Sequence, residues 1–134
     1  MTYGFSVTLD DSFDNAISRV TKALQDEGFG VLTEIDVQAT LKHKLNIERT
    51  PYVILGACNP PLAHRALEAD PDIGLLLPCN VVVRAEKDGT ITVAFMDPEA
   101  VLTLVSLKEI SDIAKDVRTR LLRVRDALGA TLTV

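Results

Sequence analysis

The amino-acid sequence predicts an α+β protein of two layers: one antiparallel or mixed sheet of about five strands, with helices packed on it mostly from one face and a long C-terminal helix. Segments that alternate apolar and polar residues, as half-buried strands do, are interleaved with segments whose apolar residues recur at helical spacing. Their order is strand, helix, strands, helix, hairpin and long helix, which favours a single sheet covered by helices.

Length and composition agree with that fold class. The 134 residues fit one domain spanning 1–134, because a chain of this size buries about two thirds of the surface that it exposes when unfolded. Hydrophobic residues make up 47% and charged residues 25%, close to the averages of globular domains, which disfavours a disordered or fibrous protein. Aromatic residues make up only 4%, so the core must be built mainly from Leu, Val, Ile and Ala.

The chain begins with a predicted strand and helix. Residues 3–9 alternate apolar with small or polar residues, as a strand does. The pair Asp11-Ser12 offers an N-cap for an amphipathic helix, which Gly28 ends.

A second strand is predicted at residues 30–35. Asp36 can cap a short helix that ends at Asn46, and a strand that continues through residue 42 is the alternative.

The apolar run at residues 52–57 predicts a buried strand, and Cys58 stands at its end. Asn59 then suits an N-cap and Pro60 the first helical position, where its missing N–H costs nothing. A third helix therefore follows the strand directly.

The region around residues 75–84 predicts another strand, and Asp88-Gly89 is the turn of a hairpin that leads into a strand at residues 91–95. Residues 100–105 are unusually apolar for a connector.

The long C-terminal helix is predicted to begin at Ser106 or Leu107 and to end at Gly129. The alternating tail, residues 131–134, could add a strand, and either this tail or the apolar connector could form a dimer contact.

Three runs of the sequence together resemble the family called domain of unknown function 302. They are residues 28–37 (GFGVLTEIDV), 54–60 (ILGACNP) and 74–81 (GLLLPCNV), and the match extends over nearly the whole chain. The resemblance implies a two-layer fold grouped with TATA-binding-protein-like architectures, in a small bacterial or archaeal protein often seen as a dimer. It implies no established activity, and kinship of fold does not transfer DNA binding, because function depends on the site.

Charge and hydropathy disfavour two classes of partner. The net charge of −5 argues against a nucleic-acid binder, which needs clustered Lys and Arg to neutralise phosphates. No window approaches the roughly 20 apolar residues of a membrane span, and the N-terminus lacks the pattern of a signal peptide. These features predict a cytoplasmic protein, and that setting favours free thiols, metal ligation or ordinary burial for the two cysteines over a structural disulfide.

The candidate site is the block from Cys58 to Asn80, which opens and closes with a Cys-Asn pair. If Cys58 precedes a helix N-terminus, the helix dipole would stabilise its thiolate and make it reactive, whereas the plainer interpretation is a small buried hydrophobe. Burial is the favoured interpretation for Cys79 as well. Cys58, Asn59, Cys79 and Asn80 could meet in a polar crevice, but His64 is the only further metal ligand nearby, so no metal site is predicted.

Glu34 and Asp36 are the remaining candidates for ligand binding. Being two residues apart on a strand, they would point to one face and could form an acid/base pair. The simpler interpretation, which we favour, makes Asp36 a helix cap and Glu34 either a solvated strand residue or a partner of Lys42 or Lys44.

These features lead to three hypotheses. The first is a small homodimeric binding module with a small-molecule ligand in a crevice near Cys58 and Cys79. The second is an enzyme that uses Cys58 as a thiolate in redox or sulfur-transfer chemistry, and the third makes the block a structural element only. The sequence does not identify a cofactor.

Overall fold

A computed structural model of the chain describes residues 1–130. Its five strands form one sheet in the order β1-β5-β4-β3-β2, and every neighbouring pair is antiparallel. The strands are β1 (Gly4–Leu9), β2 (Gly30–Asp36), β3 (Tyr52–Cys58), β4 (Cys79–Ala85) and β5 (Ile91–Met96). The predicted α+β class is confirmed, and the sheet is antiparallel rather than mixed.

In the described part of the chain, five α-helices and one short 3-10 helix connect or follow the strands. The helices are α1 (Phe13–Asp26), α2 (Val37–Leu45), α3 (Pro60–Ala69), α4 (Pro98–Leu102) and α5 (Lys108–Ala130), and the 3-10 helix is Pro71–Leu76. The long C-terminal helix predicted from the sequence is therefore present as α5.

Side-chain caps set where three of the predicted helices begin. Ser12, Asp36 and Asn59 each accept a hydrogen bond from a backbone N–H three residues ahead, as the sequence predicts. Asn46 ends α2 in the left-handed conformation with φ 54°. A helix, and not the alternative strand, therefore follows Asp36.

The core lies between one face of the sheet and the layer formed by α1, α3 and α5. Alternate residues of the central strands point into it, and α5 contacts α1, α3, α4 and β1. The fully buried side chains include Leu24, Leu55, Val83, Phe95, Ile110 and Leu121.

Three boundaries differ from the sequence prediction. Residues 71–76 form the 3-10 helix, capped by the Asp70 side chain, and β4 begins only at Cys79. Asp97 caps the short helix α4, which extends into the first residues of the predicted connector. Gly129 does not end the last helix; it lies inside α5, where a Cβ would contact Val7 of β1. The predicted strand at residues 131–134 lies outside the described residues.

Candidate functional site

A cleft in the described part of the chain lies where the ends of β2, β3 and β4 meet α3 and α5. It encloses about 320 Å³, at the lower end of the range of about 300–1,000 Å³ found for ligand pockets. We call it the Cys58 cavity. Its lining residues are Phe29, Leu32, Thr33, Ala57, Cys58, Asn59, Leu62, Ala63, Ala66, Leu67, Gly74, Leu77, Pro78, Cys79, Leu102, Ile113 and Val117.

Pairing of β3 with β4 brings the two cysteines to this cavity. Ala57 is the partner of Cys79 in the ladder, so Cys58 is the next residue along β3. Both thiols are free; Cys58 is partly exposed, and Cys79 is buried with only 6% of its surface exposed.

Burial makes both thiols weaker acids. It raises the pKa of the Cys58 thiol, and it raises the pKa of Cys79 to about 12 with a further contribution from the charge of nearby Cys58. This direction is opposite to the lowered pKa of Cys58 that the sequence-based hypothesis expected from a helix dipole. The cavity presents neutral thiols at ordinary pH.

Among residues 1–130, Asn59 is the one carboxamide on the cavity wall. Its Oδ1 accepts a hydrogen bond of 3.2 Å from the Leu62 N–H, which caps α3, and only 8% of the residue is exposed. Its amide nitrogen Nδ2 lies beside Gly28, where a Cβ would come within 3.0 Å of it.

A β-bulge shapes the outer wall. The register of β2 against β3 shifts between Val31 and Thr33, and this shift brings Leu32 and Thr33 to the cavity. Thr33 then stands opposite Gly56, whose missing side chain leaves room for it and for Pro78.

Three residues proposed from the sequence lie elsewhere. Asn80 is exposed on the opposite face of the sheet, where it lines a second hollow with Tyr3 and Val82, because alternate residues of a strand point to opposite faces. Glu34 and Asp36 lie on the exposed edge strand, and Asp36 Oδ1 accepts a hydrogen bond of 2.8 Å from the Ala39 N–H. The structure brings together Cys58, Asn59 and Cys79 but not the other three.

Most of the cavity wall was not predicted from the sequence. Its floor comes from buried Phe29 and, on α5, from Ile113 and Val117, and its rim includes exposed Leu67. One signal was available: α3 carries small residues at positions 63 and 66, which leave space beside the helix. Nothing in the local sequence places α5 against that space.

Metal and membrane candidates give no further site. Within residues 1–130, no three His, Cys, Asp or Glu side chains lie close enough together to hold a metal ion. In the same range, no helix has the length and apolar character to cross a membrane.

Comparison with known proteins identifies relatives. The family described as domain of unknown function DUF302 matches residues 5–128 of the chain, which confirms the resemblance drawn from its three sequence runs. The chain is also similar to an uncharacterized conserved DUF302 protein from Bacillus stearothermophilus, known from its crystal structure, with 31% identity and a TM-score of 0.87. That similarity covers 96% of this chain and 99% of the other. No curated protein matches the chain.

Proposed function

The chain belongs to the DUF302 family, and we propose that it is a binding module that holds a small, largely apolar molecule in the Cys58 cavity. The observation that carries this proposal is a preformed concave site lined mostly by apolar side chains, with the hydroxyl of Thr33, the carboxamide of Asn59 and two thiols among them. Ligand pockets combine such apolar walls with a few polar groups that fix orientation.

An uncharged fluorescent probe, N-phenyl-1-naphthylamine, tests the proposal. We expect saturable binding with a fluorescence increase at one site per chain. Ala63→Phe places a ring on the α3 wall of the cavity and should abolish that binding, whereas Ala39→Phe, on exposed α2, should leave it unchanged.

Thermal unfolding shows whether Ala63→Phe still folds. If it does not, Leu67→Trp fills the cavity from a partly exposed rim residue and serves as the second blocking variant. Absence of probe binding to the unmodified protein, or equal binding by both filling variants and Ala39→Phe, would refute the binding module.

A thiol-dependent enzyme using Cys58 is less well supported. Cys58 is accessible from the cavity, but burial raises its pKa, and a nucleophilic cysteine needs a lowered one. Alkylation by iodoacetamide measured against pH decides between the two functions. A Cys58 that reacts below pH 7 at the rate of a thiolate would favour the enzyme.

We also propose that the protein is a homodimer through the edge of the sheet at β2. Apolar side chains are exposed there and on the segment that follows, namely Leu32, Ile35, Leu45 and Ile47. An unpaired edge with exposed apolar residues favours association.

Light scattering after size exclusion tests the dimer. We expect a mass of two chains, reduced to one chain by Ile35→Glu, which puts a charge at a residue that is 50% exposed on β2. Leu75→Glu changes a residue that is 87% exposed outside this edge and should leave the mass unchanged. A single-chain mass for the unmodified protein would refute the proposal.

The two free thiols support the cytoplasm as the compartment, since disulfides persist in oxidising environments. Alkylation of intact cells before lysis should find both cysteines reduced. A Cys58–Cys79 disulfide in that experiment would contradict this assignment.

A further inference from the structure

Two thiols share the wall of the Cys58 cavity, and their arrangement points to a ligand class; the inference rests on the proposed binding function. Ala57 is paired with Cys79, so Cys58 is displaced from that pair by one residue along β3. Neighbouring strands lie about 4.8 Å apart and a strand rises about 3.4 Å per residue, which separates the two Cα atoms by about 6 Å. That separation lies within the range of about 4.4–6.8 Å found for cysteines whose sulfur atoms are joined.

Both cysteines border the same space. Cys58 is the last residue of β3, and the cavity lies at that end of the sheet, where Cys58 and Cys79 both line it. The charge of Cys58 also contributes to the raised pKa of Cys79, an effect that acts at short range. The cavity therefore contains two neighbouring thiols that no disulfide joins.

The surroundings of the thiols favour an adduct without net charge. No lining residue among residues 1–130 carries a charged side chain at ordinary pH. Two thiolates with a monovalent cation would leave a negative charge in this apolar space, where no group on the wall compensates it. Zn²⁺ would balance the two thiolates, but a zinc site requires further ligands, and within residues 1–130 no third His, Cys, Asp or Glu joins the pair.

The cavity has room for an organic group in addition to the atom that joins the thiols. It encloses about 320 Å³, and an apolar cavity of about 150 Å³ is large enough to bind benzene. The rest of its wall is mostly aliphatic, with Leu62, Ala66 and Ile113 among the lining residues. A phenyl group therefore fits beside the two sulfur atoms.

We infer that Cys58 and Cys79 form a two-thiol site for a trivalent arsenical that carries one organic group. Cysteine sulfur is a soft ligand, which suits arsenic(III), and one organic substituent leaves the arsenic two positions to fill. Each As–OH group of the hydrated arsenical leaves as water with one thiol hydrogen, and an As–S bond forms in its place. Two S–H and two As–O bonds break, two As–S and two O–H bonds form, and arsenic stays trivalent. The adduct is uncharged, and its organic group packs against the aliphatic wall.

Native mass spectrometry with phenylarsine oxide tests the site. We expect one phenylarsenic group per chain, at a mass that shows the loss of both thiol hydrogens. A brief pulse of N-ethylmaleimide should label Cys58 in the untreated protein and not in the adduct. Two phenylarsenic groups per chain, or none, would overturn the inference while leaving the binding function in place. Failure of N-phenyl-1-naphthylamine to bind would instead refute the proposed function.

Removal of one thiol distinguishes a shared site from two independent ones. Cys58→Ser leaves a single thiol in the cavity, so it should form no adduct at the concentration that saturates the unmodified protein. The control Ala39→Ser introduces the same side chain on exposed α2, outside the cavity, and should form the adduct in full. Thermal unfolding shows whether Cys58→Ser folds, and Cys58→Ala replaces it if it does not. An adduct with the folded single-thiol variant as stable as that of the unmodified protein would overturn the shared site.

Discussion

Replacing Gly56 by Ala should destabilise the protein because the outer wall of the cavity has no space for a side chain there. A Cβ at this position would lie 2.2 Å from Thr33 Oγ1 and 2.8 Å from Pro78 Cγ, both below the closest separations that Cβ atoms adopt. The Thr33 hydroxyl can rotate away, but the Pro78 ring cannot, so the strand or the ring must shift.

The magnitude follows from two opposed effects. Overpacking costs about 1–3 kcal/mol, and two contacts this short place Gly56→Ala in the upper half of that range. Ala in a strand offsets about 0.5–1 kcal/mol of this cost, because Gly loses more backbone entropy on folding. We therefore expect a net loss of about 1–2.5 kcal/mol in the free energy of unfolding.

Urea unfolding followed by circular dichroism measures the loss, with an unchanged m-value as the sign of an intact two-state transition. Gly30→Ala is the matched control, since a Cβ there meets no atom within 4 Å, and it should not destabilise. Adding Thr33→Ala to Gly56→Ala removes the shorter contact, so the double variant should recover at least about 0.5 kcal/mol relative to additivity. A Gly56→Ala variant as stable as Gly30→Ala, or strictly additive effects, would refute this account of the wall.

Three further predictions concern the cap, the buried thiol and the core. Asn59→Ala should lower the free energy of unfolding in urea by about 1 kcal/mol. The loss for Asn59→Ser should stay below about 0.5 kcal/mol, because Ser is also a good N-cap. Equal losses for the two variants would contradict the role of Asn59 as the cap of α3. Since burial raises the pKa of Cys79 to about 12, its neutral thiol contributes stability that is complete below the unfolded pKa of about 8.5 and is lost as the pH rises toward 12. The midpoint temperature of thermal unfolding should therefore fall more steeply with pH over that range for the wild type than for Cys79→Ala. Parallel falls for the two proteins would refute the raised pKa of Cys79. Leu121→Ala removes a side chain that is 0% exposed and should lower the free energy of unfolding in urea by about 2–5 kcal/mol. The change for exposed Lys115→Ala should stay within about 0.5 kcal/mol. A loss as small as that for Leu121→Ala would contradict the packing of α5.

Predictions from the sequence succeeded where the structural signal is local. The caps at Ser12, Asp36 and Asn59 were predicted because a cap needs only a side-chain oxygen and the N–H groups within three residues of it. The hairpin at Asp88-Gly89 was predicted for the same reason, and Gly89 has the positive φ of 89° that the turn demands.

The candidate site was predicted only in part because a strand alternates its faces. Cys79 and Asn80 are neighbours in sequence, and the Cys-Asn pair suggested that they act together. Cys79, however, lines the cavity, whereas Asn80 lies on the opposite face of the sheet, because neighbouring residues of a strand point to opposite faces.

The sequence by itself determined the α+β class, the identity and most boundaries of the helices and strands, and the position of Asn59 as the cap of α3, because each depends on periodicity or on contacts within one turn. Tertiary structure alone decided that β3 pairs with β4 so that Cys58 and Cys79 share a wall, that the bulge in β2 brings Thr33 to it, and that α5 forms its floor. The physical reason is that a cavity is the space left between elements distant in sequence. Tertiary structure also decided the state of the thiols, because burial between these elements raises the pKa of both Cys58 and Cys79.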